Sequence, residues 1–218
     1  MINRIFEDLE ESPDEFATHP GKDFSRKRKL SFAEMMRTIS IMEGNPLNKE
    51  LCDIHNFNDS TFITKSAFVQ QMGKIKHEAF EEAFNIFNEK TAINDLNLYE
   101  GYRLLAVDGS DINITLNKNS DTYFGPECSS SGKSYNQFHL NALYDINNTT
   151  YVDAVIQPSP KTHEIEAART MIKRLRKSSY SNIILADRGY ILLIYWQQSQ
   201  IAIATIDLEL MQNFKRDY

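Results

Sequence analysis

The chain has 218 residues, of which 41% are hydrophobic, and it contains only eight glycines and six prolines. This composition supports a core of ordinary size and excludes a largely disordered protein. The formal net charge of −6 argues weakly against nucleic acid as a partner, because phosphate binding depends on clustered Lys and Arg. No stretch of about 18 apolar residues and no signal-peptide pattern is present, so we expect a cytoplasmic protein.

Two local features qualify this picture. Cys52 and Cys128 are far apart and lack CxxC spacing, so we interpret both as free thiols rather than as a zinc site or a disulfide. Two basic runs, residues 26–29 (RKRK) and residues 173–177 (KRLRK), stand out from the acidic total. Each run alone is more typical of a solvated surface than of a DNA contact. It supports DNA binding only in combination with other evidence for that function.

The first half of the chain has helical periodicity. Ser31 and Glu34 form a capping box, and the apolar residues that follow lie three and four positions apart. A second, short helix is predicted from about Asn48 to Ile54. Thr64 can cap a third helix, and a fourth contains the apolar residues of segment 80–87.

The second and third of these helices, joined by the turn-like residues 56–60, are compatible with a helix-turn-helix that reads DNA. Ser66, Gln70, Gln71 and Lys74 would then lie on the outer side of the second member, and Ser66, Gln70 and Lys74 are the candidate DNA contacts. An ordinary helical bundle explains the same pattern and is favoured by the pattern alone.

Beyond residue 94 the pattern becomes that of strands. Residues 102–107 predict a strand that ends at Asp108, followed by a turn over residues 108–111. Residues 137–144 and 150–156 predict a hairpin, residues 163–175 a helix and residues 183–186 a buried strand ending at Asp187. This order predicts a mixed α/β fold in which an N-terminal helical region precedes a ribonuclease-H-like mixed sheet.

Asp108 and Asp187 are the strongest candidates for chemistry, because each follows an apolar strand and precedes a glycine-containing turn. Ligands gather at the carboxyl ends of strands in α/β sheets, where two carboxylates would bind Mg²⁺ or Mn²⁺. Phosphoryl transfer with two metal ions needs shared carboxylates that hold the ions about 4 Å apart. Aspartates at strand ends are also common turn formers, and Asp111, Asp121 and Asp145 fit that simpler interpretation.

Four segments resemble one bacterial family of insertion-sequence transposases, the DDE transposases with a ribonuclease-H-like core. They are residues 104–112 (LLAVDGSDI), 135–145 (YNQFHLNALYD), 151–158 (YVDAVIQP) and 184–190 (ILADRGY). Residues 66–71 (SAFVQQ) resemble the helical DNA-binding region of that family. The resemblance covers about residues 31–190.

The resemblance implies a metal-dependent enzyme that cleaves DNA at the ends of a mobile element and joins the freed 3′ hydroxyl to target DNA. Asp108 and Asp187 match the first two catalytic aspartates, with Mg²⁺ or Mn²⁺ as the cofactor, and Arg188 could contact a phosphate. Lys133, Tyr135 and His139 lie in a matching segment without an assigned role, and His139 is interpreted as structural. The family also implies a homodimer on paired DNA ends.

The resemblance does not extend to the third acid of the family, a glutamate on a later helix. Only 31 residues follow Asp187, and the run at residues 191–196 (ILLIYW) is apolar where a polar helix is expected. We therefore expect three segments: a helical region (1–95), a partial catalytic domain (96–190) and an aberrant tail (191–218) that leaves a sheet edge unpaired. Glu209 is a weak candidate for the third acid, and the expectation is an inactive, truncated transposase.

Two other functions remain open. The helical half could act as a DNA-binding module that competes with an intact transposase, in which case its binding should be salt-sensitive and sequence-selective. Alternatively, the chain could be a small ribonuclease-H-like nuclease, which would cleave generic duplexes or hybrids with a divalent metal.

Overall fold

The computed structural model describes residues 1–26, 30–55, 63–92, 96–175, 181–187, 190 and 201–205. The chain folds as two compact units, residues 1–94 and residues 95–218. The boundary falls one residue before the one drawn from the sequence. Within the described part of the chain, no helix is long and apolar enough to cross a membrane.

The first unit is helical. Its helices are α1 (Ile2–Glu10), α2 (Pro13–Phe16), α3 (Phe32–Ser40), α4 (Leu47–His55), α5 (Lys65–Met72) and α6 (Glu78–Ala92). The predicted caps are confirmed: the Ser31 side chain accepts a hydrogen bond from the Glu34 amide, and the Thr64 side chain accepts one from the Ala67 amide.

Two apolar clusters hold this unit together. The first joins α1, α3 and α6, and its fully buried members include Ile5, Phe32 and Met36. The second joins α3, α4 and α5 through Met35, Leu51 and Phe68. Helix α1 was not predicted, although Ile5, Phe6 and Leu9 have the spacing of a buried helical face.

The second unit is a mixed sheet with one helix described against it. Its elements are β1 (Arg103–Ile114), β2 (Tyr123–Phe124), β3 (Tyr135–Asp145), β4 (Thr150–Pro158), α7 (Glu164–Leu175), β5 (Asn182–Ala186) and β6 (Ile201–Thr205). β3 lies between β1 and β4 and pairs antiparallel with both, whereas β5 lies parallel to β1 and β6 parallel to β5. The resulting order β4-β3-β1-β5-β6, with β2 also on β3, is that of a ribonuclease-H-like sheet, so the predicted fold class is confirmed.

α7 covers one face of the sheet. Ala168, Met171 and Ile172 from the helix pack on Leu105 of β1 and Ile184 of β5, and all five are buried. The hydrophobic stripe of α7 and the alternating apolar residues of the two strands therefore form one core. Because this core packs β1 and β5 together, it also fixes the position of the residues that follow the paired part of each strand.

Two predictions about the strands are wrong. Residues 108–111 are not a turn, because β1 continues to Ile114 and pairs with β3 along this whole length, from Asp108 opposite Ala142 to Ile114 opposite Asn136. The hydrogen-bonded ladder overrides the turn preference of the D-G-S-D sequence. The outer edge of β5 is not unpaired either, since β6 pairs with it from Asn182 to Ala186.

Candidate active site

Asp108 lies just beyond the part of β1 that pairs with β5. β1 pairs with β5 only from Arg103 to Ala106, so Asp108 is the second residue of β1 beyond that pairing, and it is exposed. The Asp108 carboxylate accepts a hydrogen bond of 2.8 Å from the Gly109 amide. The side chain is therefore held at the end of β5 while β1 continues past it.

Asp187 directly follows β5 and is also exposed. Because Ala106 pairs with Leu185 in the parallel register, continuing that register by two residues sets Asp108 opposite Asp187. Paired residues of parallel strands point to the same face, and neighbouring strands lie about 4.8 Å apart. The fold thus brings both predicted carboxylates to one end of the sheet on one side.

Tyr190 is a residue of the site to which sequence reasoning gave no role. It is 2% exposed, and its amide donates a hydrogen bond to the Asp187 carbonyl at 3.2 Å. Its hydroxyl has no hydrogen-bond partner within the described residues. Burial raises the pKa of Tyr190 well above its usual value, and the negative charges of Glu164, Asp108 and Asp187 raise it further. The hydroxyl therefore stays protonated and is a potential hydrogen-bond donor.

His139 lies beside this group and is 7% exposed. Its Nδ1 is 2.8 Å from Asp111 Oδ1, and its Nε2 is 3.1 Å from Glu164 Oε1 at the start of α7. The ring also packs closely against Gly109, where an added Cβ would lie 2.4 Å from Nε2. These contacts are compatible with the structural role expected for His139, and the pairing of Asp111 with His139 shows that Asp111 belongs to β1 rather than to a turn.

Asp145 and Asp121 do not belong to the site. Asp145 is fully buried, forms an ion pair with Arg103 and accepts hydrogen bonds from the Asn148 amide and side chain. It thus secures the β3–β4 turn and the start of β1. Asp121 lies in an exposed turn, 3.9 Å from Lys161.

The candidate DNA contacts of the first unit lie in different surroundings. Ser66 and Gln70 are exposed on α5, as predicted. Lys74 is not on that helix, which ends at Met72, and its Nζ lies 4.0 Å from the buried carboxylate of Asp23. Arg188, the basic residues 27–29 and 176–177, and Glu209 lie outside the described residues.

The remaining candidates of the matching segment are ordinary surface residues. Lys133 is exposed, and Tyr135 stacks on Phe124 with ring centroids 4.8 Å apart. Cys52 and Cys128 are free cysteines, as predicted.

A divalent cation fits the chemistry of Asp108 and Asp187. Carboxylate oxygens are hard ligands of the kind that such ions prefer. Among the described residues, no three His, Cys, Asp or Glu side chains are already arranged to hold an ion.

The mixed sheet, with Asp108 within β1 and Asp187 directly after β5, is compatible with the ribonuclease-H-like class that the sequence predicts. The sequence model of the transposase DDE domain family matches residues 99–215, which is more than half of the chain. The chain therefore belongs to this family. The match includes Asp108 and Asp187 and continues beyond Tyr190 across β6. Members of the family generally use a divalent metal.

Two solved structures show limited similarity. One is the Drosophila P element transposase strand transfer complex, with 9% identity and a TM-score of 0.44 over 97% of this chain and 50% of that chain. The other is the Mos1 transposase paired-end complex with left transposon end, with 12% identity and a TM-score of 0.30 over 82% of this chain and 59% of that chain. The chain thus spans half the length of the first of these proteins. No curated protein matches it.

Proposed function

We propose that this transposase-family chain acts on the ends of a mobile DNA element, with Asp108 and Asp187 holding Mg²⁺ for cleavage and strand transfer. This proposal departs from the inactivity expected from the sequence, because the family match extends to residue 215, through the segment expected to be aberrant. The observation that carries the proposal is the parallel register of β1 and β5, which sets both aspartates at one end of the sheet. Their place within the family match supports it.

The residues of the proposed site have separate roles in cleavage. Bound divalent ions supply Lewis-acid stabilisation of the phosphate and activation of the attacking oxygen. Asp108 and Asp187 hold the ions, and the Gly109 amide fixes the Asp108 carboxylate. Tyr190 has a buried, protonated hydroxyl that is not hydrogen-bonded within the described residues, and this hydroxyl can donate a hydrogen bond to a phosphate oxygen. A hydrogen bond from the Tyr190 amide to the Asp187 carbonyl ties Tyr190 to the end of β5.

The first unit would bind the DNA, as one protomer of a dimer on paired ends. α5 supports this proposal because only Phe68 of its eight residues is buried, which leaves Ser66 and Gln70 on an open surface. A helix exposed in this way is suited to the major groove.

Cleavage by the purified chain tests the catalytic proposal. Duplexes made from the DNA that flanks the gene should be nicked in Mg²⁺ or Mn²⁺, and Asp108→Asn or Asp187→Asn should lower the rate by about 10³-fold or more. Asp121→Asn, a turn aspartate of the same unit, is the matched control and should keep the wild-type rate. Equal cleavage by wild type and Asp108→Asn would contradict the proposal.

The same experiment distinguishes the two alternative functions. Cleavage of any duplex or hybrid would indicate a general nuclease. Selective binding without cleavage would indicate a DNA-binding module.

A further inference from the structure

A cavity of about 540 Å³ lies in the first unit, where residues 19–26 meet the end of α5. Its lining includes the basic residues Lys22, Arg26 and Lys74. The volume is within the range of ordinary ligand sites, which is about 300–1,000 Å³. Arg26 is also the first residue of the basic run at residues 26–29, and the proposed function gives that run no role.

Hydrogen bonds attach one wall of the cavity to the other. The Thr18 amide donates to the Lys74 carbonyl at 2.8 Å, and the Thr18 hydroxyl donates to the Gly73 carbonyl at 3.2 Å. The Lys76 amide donates to the Phe16 carbonyl at 2.8 Å. The segment that carries Lys22 and Arg26 therefore starts from a fixed point beside the end of α5.

The charges of the lining favour an anion. Asp23 is the acidic residue among the described lining residues, and its carboxylate is bonded to His19 and lies 4.0 Å from Lys74 Nζ, which offsets its charge. Lys22 and Arg26 are exposed, and no ion pair between described residues includes either of them. Two cations without an acidic partner remain, and Arg and Lys are the usual ligands of phosphate groups.

The end of α5 does little to oppose an anion. The carboxyl end of a helix carries partial negative charge on carbonyl groups that lack hydrogen-bond partners. Here the carbonyls of residues 69 and 71–74 each accept a hydrogen bond from an amide or a hydroxyl of the same unit. The side chains of the lining therefore determine the charge of the cavity.

The cavity continues the face of α5 that is proposed to contact DNA. Residues three and four positions apart share one face of a helix, so Ser66, Gln70 and Gly73 lie in one row, and Gly73 lines the cavity. Gly73 is about 4.5 Å from Gln70 along the helix axis, at 1.5 Å per residue. When Gln70 lies in a major groove about 12 Å wide, the phosphates that border the groove are about 6 Å to either side. One of these borders then lies beside the cavity.

We propose that this cavity binds a phosphate group of the DNA backbone, with Lys22 and Arg26 as its direct ligands. This inference rests on the proposed function, because it assumes that α5 contacts DNA. A phosphate contact fixes the position of α5 on the duplex and reads no sequence. Lys74 remains with Asp23 and supports the loop.

The salt dependence of DNA binding by the full chain tests the proposal. Binding of a labelled duplex of arbitrary sequence is measured by fluorescence anisotropy in EDTA at several salt concentrations. The cavity variant, which combines Lys22→Gln with Arg26→Gln, should lower the slope of log affinity against log salt by about 1. For binding curves that meet at 1 M salt, this change in slope weakens binding about tenfold at 0.1 M.

The matched control combines Arg4→Gln with Lys49→Gln. These residues are exposed on α1 and α4 and do not line the cavity, so the control removes the same two charges from elsewhere in the unit. It should keep the wild-type slope. An equal decrease in the control and in the cavity variant would overturn the proposal, because the net charge alone would then explain the loss.

A second pair of substitutions separates charge from folding. Lys22→Arg combined with Arg26→Lys keeps both charges and should keep the wild-type slope, and a slope as low as that of the cavity variant would overturn the proposal. Far-ultraviolet circular dichroism checks that each variant is folded. If the cavity variant is not folded, the single substitution Lys22→Gln replaces it and should change the slope in the same direction. Wild-type affinity and slope in that folded protein would overturn the proposal.

Inorganic phosphate distinguishes a DNA site from a site for the free anion. Phosphate binding to the wild type that is lost in the cavity variant, together with unchanged DNA binding, would overturn the assignment to DNA. Failure of the wild type to bind any duplex at low salt would overturn the proposed DNA binding of the first unit, and this inference with it. DNA binding by the wild type with the same slope in the cavity variant would overturn the role of the cavity alone.

Discussion

At the scale of single residues, Asp23 is a buried acid of the first unit with several polar partners. Its carboxylate accepts hydrogen bonds from the His19 amide at 3.1 Å and from the His19 ring at 3.0 Å. Lys74 Nζ lies 4.0 Å away. Burial alone would raise the pKa of Asp23, but the His19 hydrogen bonds and the charges of His19 and Lys74 together hold it below its usual value. The charged form is thus stabilised in the folded state.

The lowered pKa predicts a stability that depends on pH. As the pH falls through the lowered pKa, the folded chain must take up a proton that the unfolded chain has already bound, so the stabilisation is present above the ordinary value of 3.8 and is lost below it. We expect Asp23→Asn to cost about 1–2 kcal/mol at pH 6. The difference from wild type should shrink as the pH approaches 3. Urea unfolding at both pH values measures it.

Asp53 provides the control for this prediction. It is exposed on α4, so Asp53→Asn should change the unfolding free energy little at either pH. A cost of Asp23→Asn that is the same at pH 3 and pH 6 would show that the carboxylate charge contributes nothing.

At the scale of elements, Gly109 allows β1, β3 and α7 to approach one another. An added Cβ at this position would lie 2.4 Å from His139 Nε2, and the ring cannot move freely because Asp111 and Glu164 flank both of its nitrogens. We expect Gly109→Ala to destabilise the second unit by about 1–3 kcal/mol, as overpacking does elsewhere. Urea unfolding followed by circular dichroism measures this cost.

Gly73→Ala is a comparison in which the same methyl group fits. A Cβ there would be 3.7 Å from the nearest carbonyl oxygen, and the backbone is right-handed helical. Alanine at such a position is expected to be neutral or to stabilise by about 0.4–1 kcal/mol. If Gly109→Ala were as stable as wild type, the close packing of His139 on β1 would not be a constraint.

Elements that depend on local signals were predictable from the sequence, and those that depend on long-range pairing were not. α3 and α5 begin at the predicted caps because Ser31 and Thr64 bond to amides three residues away. The length of β1 depends instead on a ladder to β3, some 30 positions along the chain, so the local turn signal at Asp108 was misleading. The end of β5 before Asp187 was predictable because its run of apolar residues stops there.

The rest of the candidate site could not be predicted in the same way. Glu164, His139 and Tyr190 come from a helix start, a strand and a turn, and no spacing in the sequence links them. What joins them is the packing of α7 on β1, which sets the first residue of the helix against Gly109. Only the full fold reveals that juxtaposition.

At the scale of the whole molecule, the two units have different electrostatic requirements. The net charge of −6 and the carboxylates at the end of the sheet repel the phosphates of DNA and weaken its binding unless a divalent cation is bound. The exposed surface of α5 carries no such cluster, and its Ser66, Gln70 and Lys65 are neutral or basic. DNA binding by the first unit should therefore be independent of the metal that the second unit needs.

This separation gives a prediction for the full chain. In EDTA, the chain should still bind the DNA sequence that it selects from a random duplex library, with affinity that falls as salt rises. Gln70→Ala should lose about 1–3 kcal/mol of binding to the selected sequence but little to unrelated DNA, since a side chain that contacts base edges contributes to selectivity. Gln71→Ala, at the next and less exposed position of α5, is the control, and Asp108→Asn should bind as wild type does. Binding that disappears in EDTA would instead assign the DNA contact to the catalytic unit.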